Sequence, residues 1–264
     1  MSVWMRACWE KMETLASLDG KIDGAFFGAP ESAPAIAAYG KLRGFYHCQA
    51  TVYGTTTMLG GYADGKAPEF PEDSGHSEKI GTCGHVGEDY VNEDGKAVGN
   101  FIVSMDPQGI LGFHSNIIEK KGRPAAHVIE VLTEQVSAAY LAYLQQTGVS
   151  YVFAGKDRVN GTELLRKLQE LFGIDRLMIA GGGVTNWSFL QEGLIDELSL
   201  VIAPVADGSN TAVSIFEQAG FLSKGSPVPF SFLEAKPLDG NALWLRYRCD
   251  AAEQQERECL GTVQ

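Results

Sequence analysis

Apolar positions fall into short extended runs in the first part of the chain, then into alternating extended runs and helical stripes after residue 125. Glu13 to Leu18 is an extended run that meets the turn sequence Asp19-Gly20-Lys21. Ala50 to Tyr53 leads into Gly54-Thr55-Thr56-Thr57-Met58, and Phe101 to Met105 stops at Asp106-Pro107; both read as strands. Residues 60–99 are rich in Gly, Pro, Asp and Glu and lack periodicity, which predicts a loop-rich insertion.

The second half is regular. Ala126 to Leu132 reads as a strand, Val136, Ala139, Tyr140, Tyr143 and Leu144 recur at helical spacing, and Gly148 closes that helix. Ser150 to Ala154 is a strand, Leu164, Leu165, Leu168, Leu171 and Phe172 form the next apolar stripe, and Gly173 ends it before the strand Arg176 to Ala180. A glycine triplet opens a further helix that closes near Gly193, and Glu197 to Ala203 follows as a strand. Strands and helices in this order predict an α/β fold with a mostly parallel sheet. Phe230 to Lys236 and Ala242 to Arg248 flank Asp239-Gly240, which predicts a closing antiparallel hairpin.

At 264 residues the chain fits one domain spanning 1–264. An excess of 33 Asp+Glu over 21 Lys+Arg gives a net charge of −12, which argues against nucleic acid and anionic membranes as partners and leaves a small-molecule substrate. No run approaches the ~18 apolar residues of a membrane span, and Met1 to Arg6 lacks a signal peptide's apolar stretch, so a cytoplasmic location is expected. Cys8, Cys48, Cys83, Cys249 and Cys259 are odd in number and lack CxxC spacing, which predicts free thiols. His76, Cys83, His85 and Glu88 match no closed zinc spacing, and no metal is expected.

The sharpest chemical feature is Ala180-Gly181-Gly182-Gly183-Val184-Thr185-Asn186 between a strand and a helix. Glycines allow close backbone approach, and helix-start N–H groups bind anions such as a pyrophosphate. The spacing is not G-x-G-x-x-G, and the residues alone leave a bare strand-helix connection equally open. Cations that could meet a phosphate are Arg43, Lys120, Lys121, Arg123 and Lys156. Lys156 follows Ala154-Gly155 at a strand end, where ligands of α/β sheets sit.

Taken together, that turn, the segment from Ser188 to Leu198, Ile202-Ala203-Pro204, Ala16-Ser17-Leu18-Asp19-Gly20-Lys21-Ile22 and Gly54-Thr55-Thr56-Thr57 resemble the reductase domain of the riboflavin-biosynthesis deaminase-reductases. The resemblance implies a dihydrofolate reductase-like mixed sheet flanked by helices, NADPH as cofactor and a homodimer. It places Ala16, Gly54, Thr57, Gly181, Gly182, Gly183, Val184, Thr185 and Asn186 at cofactor positions, and Ser104 where a hydroxyl often meets the 2′-phosphate. Ser17, in the Ser-x-Asp-Gly strand end that borders the nicotinamide, joins Arg43, Arg123 and Lys156 as the substrate set. Asp19 is the nearest carboxyl for protonating the product, with a turn-forming Asp as the alternative.

Three positions depart from the family pattern: Ala180 replaces a Glu, Gly61 an Asp, and Trp187 a small residue. They imply hydride transfer to a small polar C=N or C=O substrate that differs from the pathway's pyrimidine. The alternative from another class is a non-catalytic nucleotide-binding protein that keeps the cofactor cleft.

Overall fold

The structure, a computed structural model, describes residues 9–68, 85–222 and 225–249. Its regular elements in chain order are β1 (Trp9–Ala16), α1 (Ala33–Leu42), β2 (Ala50–Gly54), α2 (Thr55–Leu59), α3 (Glu93–Lys96), β3 (Phe101–Met105), β4 (Ile117–Ile118), β5 (Ala126–Leu132), α4 (Ala138–Thr147), β6 (Ser150–Phe153), α5 (Gly161–Phe172), β7 (Arg176–Ile179), α6 (Gly183–Gln191), β8 (Glu197–Ile202), β9 (Phe230–Pro237) and β10 (Leu243–Cys249). The chain forms two compact units, one from residues 1–48 with 175–264 and the other from residues 49–174.

In the first unit the strand order is β7-β1-β8-β10-β9, with β1 parallel to both β7 and β8, and β10 antiparallel to β8 and β9. A central parallel strand is covered on both faces, and Met12, Leu15 and Ala16 are accordingly buried. Leu15, Phe26, Ala35, Val201, Ala203, Ala242 and Trp244 form one core cluster. Trp244 sits inside it and donates its indole N–H to Ser199 Oγ at 2.9 Å. Between β1, β8 and β10 lies a buried ion network. Glu197 accepts from Lys11 Nζ at 2.8 Å, Arg246 Nε at 2.7 Å and Tyr46 OH at 2.7 Å.

In the second unit β2, β3, β5 and β6 are parallel, and β4 pairs with the first two residues of β5 on the edge that β6 uses further along. All seven residues of β5 are buried, as a strand covered on both faces requires. The predicted glycine stops are in place: Gly148 and Gly173 cap α4 and α5 at φ 74° and 68°. Ser137 and Asn160 cap the starts of the same helices by accepting from Tyr140 N and Glu163 N.

Of the insertion, residues 60–68 and 85–99 hold turns and the short α3, started by the Asn92 cap. Residues 69–84, with His76 and Cys83, lie outside the described residues, as do Met1 to Cys8 and the tail from Asp250 that includes Cys259. Among the described residues neither Cys48 nor Cys249 is in a disulfide. Among the described residues no helix is long and apolar enough to cross a membrane.

Candidate functional site

Parallel pairing brings the carboxyl ends of β1 and β8 out side by side, Ala16 opposite Ile202, while β7 ends earlier, with Ile179 opposite Met12. This end of a parallel sheet is where α/β folds bind ligands. The chain leaves β1 through Ser17 to Gly24, leaves β8 through residues 203–217, and leaves β7 through the glycine turn.

Gly182 is the N-cap of α6 and offers no side chain. The first intrahelical bond runs from Asn186 N–H to Gly182 C=O at 3.1 Å, so the N–H groups of Gly183, Val184 and Thr185 precede the helical ladder. Such groups and the helix dipole attract anions. The two neighbouring glycines differ. A Cβ on Gly182 meets nothing within 4 Å, whereas a Cβ on Gly183 meets the Ser214 carbonyl oxygen at 2.4 Å and Glu217 Cγ at 2.9 Å. Gly183 is therefore required by packing, and Gly182 keeps an open face that a side chain would fill. Asn186 is buried; its Nδ2 donates to Ile215 O at 2.9 Å while its Oδ1 has no hydrogen-bond partner. A pyrophosphate fits this turn, because an exposed glycine face and uncommitted N–H donors are what it needs.

The loop after β1 is tied by its own polar groups. Ser17 Oγ donates to Asp19 Oδ1 at 2.6 Å and accepts from Lys21 N at 2.9 Å. Asp19 also accepts from Asp207 N and Gly208 N at 2.9 Å each. The Ser17 hydroxyl first, then these backbone N–H groups, hold the Asp19 carboxyl well below the usual carboxylate range. With these donors the Asp19 carboxylate anchors the loop after β1. Lys21 pairs with Ser214 across a β-bridge and reaches its Oγ at 3.2 Å, within one residue's reach of the glycine turn. In the sequence Lys21 belongs only to a turn, because its partner Ser214 lies 193 residues further along the chain.

Of the remaining candidates, Arg43 in the first unit ends α1 and donates to Tyr39 OH at 3.0 Å. Gly54, Thr57, Ser104, Arg123 and Lys156 belong to the second unit. Gly54 is the N-cap of α2, and Thr57 is half-buried within it. Ser104 is fully buried and in register with Glu130. Arg123 donates to Tyr53 OH and Tyr62 OH, and Lys156 is exposed. Trp187 turns to the 216–218 segment, donating to Gln218 Oε1 at 2.9 Å and standing edge-on to Phe216.

A mixed, mostly parallel sheet flanked by helices and closed by an antiparallel hairpin is the dihydrofolate reductase-like fold. Within that class the chain belongs to a reductase family: it matches the RibD C-terminal domain over residues 11–242. The 2,5-diamino-6-ribosylamino-4(3H)-pyrimidinone 5′-phosphate reductase of Aquifex aeolicus is 28% identical over 107 residues, covering 40% of this chain and 46% of that protein. The protein of the same name from Methanothermobacter thermautotrophicus is 41% identical over 69 residues, covering 26% and 32%. The chain thus spans less than half the length of these two relatives. A pyrimidine reductase-like protein from Corynebacterium diphtheriae shares the fold with a TM-score of 0.61, 16% identity and 92% of each chain covered. The riboflavin biosynthesis reductase Rib7 of Saccharomyces cerevisiae does so with a TM-score of 0.55, 14% identity and coverage of 94% and 93%.

Proposed function

We propose that this chain is an NADPH-dependent reductase that delivers a hydride to a small polar substrate containing a C=N or C=O bond. The observation that carries the reading is the glycine turn, where Gly182 leaves an open face beside the uncommitted N–H groups of α6 in a member of a reductase family. Bound NADPH would supply the hydride, and the protein would supply position and electrostatics. Gly181, Gly182, Gly183, Val184, Thr185 and Asn186 would hold the cofactor phosphates, with Ala16 bordering the nicotinamide. Ser17 and Asp19 would shape the nicotinamide border through their mutual hydrogen bond, with Arg43 of the same unit as a charged substrate candidate.

The substrate would differ from the phosphorylated pyrimidinone named for the relatives, because Ala180 and Gly61 remove two polar side chains and Trp187 adds a ring. A hydrogen-bonding partner lost from a polar site lowers specificity by roughly 5- to 150-fold. The working unit would be a homodimer that covers the apolar edge of β9, where Phe232 is 62% and Leu233 45% exposed. Fluorescence titration with NADPH should show binding. Turnover of the phosphorylated ribosylamino-pyrimidinone, followed by NADPH absorbance, should have a kcat/KM below ~10⁴ M⁻¹s⁻¹. Absence of NADPH binding would overturn the reductase reading, and faster turnover would overturn the substrate claim.

A further inference from the structure

Residues 213–217 return to the ligand end of the first unit and lace two separate stretches together. On one side Ile22 N–H donates to Val213 C=O at 2.8 Å and Ile215 N–H to Gly20 C=O at 3.1 Å, which sets Lys21 opposite Ser214 in an antiparallel bridge. On the other side Glu217 N–H donates to Gly183 C=O at 3.0 Å, and Asn186 Nδ2 to Ile215 C=O at 2.9 Å. The missing Cβ of Gly183 lets the Ser214 carbonyl in, since a Cβ there would stand 2.4 Å from that oxygen. Ser214 thus packs its backbone on the start of α6 and holds Lys21 with its side chain.

Lys21 is half-buried, and its Nζ donates to Ser214 Oγ at 3.2 Å. An ammonium carries three N–H donors and a full charge, and a neutral hydroxyl answers one donor and none of the charge. Among the described residues Lys21 forms no ion pair. The carboxylates of the two laced stretches are committed to other donors. Glu217 accepts from Ser214 N–H at 2.8 Å, Asp19 from Ser17, Asp207 and Gly208, and Asp23 from Gly24 N–H at 2.8 Å. In a chain of net charge −12, a cation held by a hydroxyl beside a helix N-terminus adds its field to that of the helix dipole. Both attract an anion to the same place.

We propose that Lys21 is a further cofactor-binding residue, its ammonium supplying the positive charge for the pyrophosphate at the start of α6. Cofactor binding then also fixes the Ser17 to Lys21 loop, which carries the nicotinamide border. The N–H groups of Gly183, Val184 and Thr185 give direction to the phosphate oxygens, and Lys21 supplies a point charge that needs no fixed fork. The proposal rests on the cofactor reading above.

The test is fluorescence titration of NADPH into the full chain and its variants, with thermal melts to confirm folding. Lys21→Met is expected to raise the Kd at least tenfold at low salt, with Lys21→Gln as the second variant should the first misfold. The difference from wild type should shrink in about 1 M salt, where the Debye length falls to about 3 Å. Ser214→Ala keeps the backbone bridge and releases the Lys21 ammonium, so NADPH should bind it at least as tightly as wild type. Affinity lost in Ser214→Ala as far as in Lys21→Met would make Lys21 a mere tie between loops and overturn the proposal. An unchanged Kd in folded Lys21→Met, with NADPH bound by the wild type, would overturn this proposal alone. A wild type that binds no NADPH would overturn the cofactor reading itself.

Discussion

Replacing Gly182 with Val separates the fold's need for glycine from a ligand's need for it. The backbone at Gly182 has φ −40°, outside the left-handed region, and the new Cβ meets no atom within 4 Å. The cost to folding is then mainly an N-cap preference, about 1 kcal/mol, which lowers Tm by roughly 2–4 °C for a chain of this size. The branched side chain fills the open face beside the N–H groups of Gly183, Val184 and Thr185. A hydrogen bond to a charged group contributes about 1.5–3 kcal/mol, so losing one from the pyrophosphate raises the Kd for NADPH roughly 10- to 150-fold. Gly183→Ala gives the opposite pattern. Its Cβ lands 2.4 Å from the Ser214 carbonyl oxygen, which must move with backbone, and such overpacking costs about 1–3 kcal/mol. Thermal melts and NADPH fluorescence titrations on both variants measure the two effects separately. Unchanged NADPH affinity in folded Gly182→Val would refute the assignment of this turn to the cofactor.

Three further outcomes are expected. Burial alone would raise the Glu197 carboxyl, but Arg246, Lys11 and Tyr46 bring it down to about 2. Its stabilisation is therefore full above about pH 4.5 and is lost as pH falls toward 2, and Glu197→Gln, which strands the two cations, should cost about 3–5 kcal/mol at neutral pH and flatten that acid limb in urea titrations. Glu130 behaves with the reverse sign: burial, and then the charge of Asp106, push its carboxyl up. Stability is lost as pH rises above about 4.5 through its folded value, so Glu130→Gln should gain on the wild type as pH rises, and parallel pH–stability curves would contradict this. Finally, Phe232→Lys on the exposed edge of β9 should convert a dimer to a monomer by light scattering, while an unaltered mass would remove that edge from the interface.

What was legible in the chain depended on whether a residue's role is set by its near neighbours. The stops at Gly148 and Gly173 and the turn at Gly181 to Asn186 could be read because caps and strand-helix junctions need a glycine within a few positions of an apolar run. The helix α1 was not called, since Pro34 at its start and Gly40 near its end obscure a short, mostly half-exposed stripe. Lys21 and Ser104 have surroundings that no local stretch of sequence contains. Lys21 reaches Ser214, and the direction of Ser104 is fixed by register with Glu130 on another strand.

The interior carboxylates show most clearly where pattern reading gives out. Glu10, Glu13, Asp106, Glu130 and Glu197 are each at most 6% exposed, although periodicity arguments place charged side chains outside. Burial of a carboxylate is tolerable when fixed donors or cations compensate, as for Glu197, or when the group keeps its proton, as Glu130 is driven to do. Both depend on residues distant in the chain: Lys11 is opposite Glu197 across the sheet, and Glu130 is pushed up by its burial and by Asp106. They arise only after pairing has set the register, so no local window of sequence contains them.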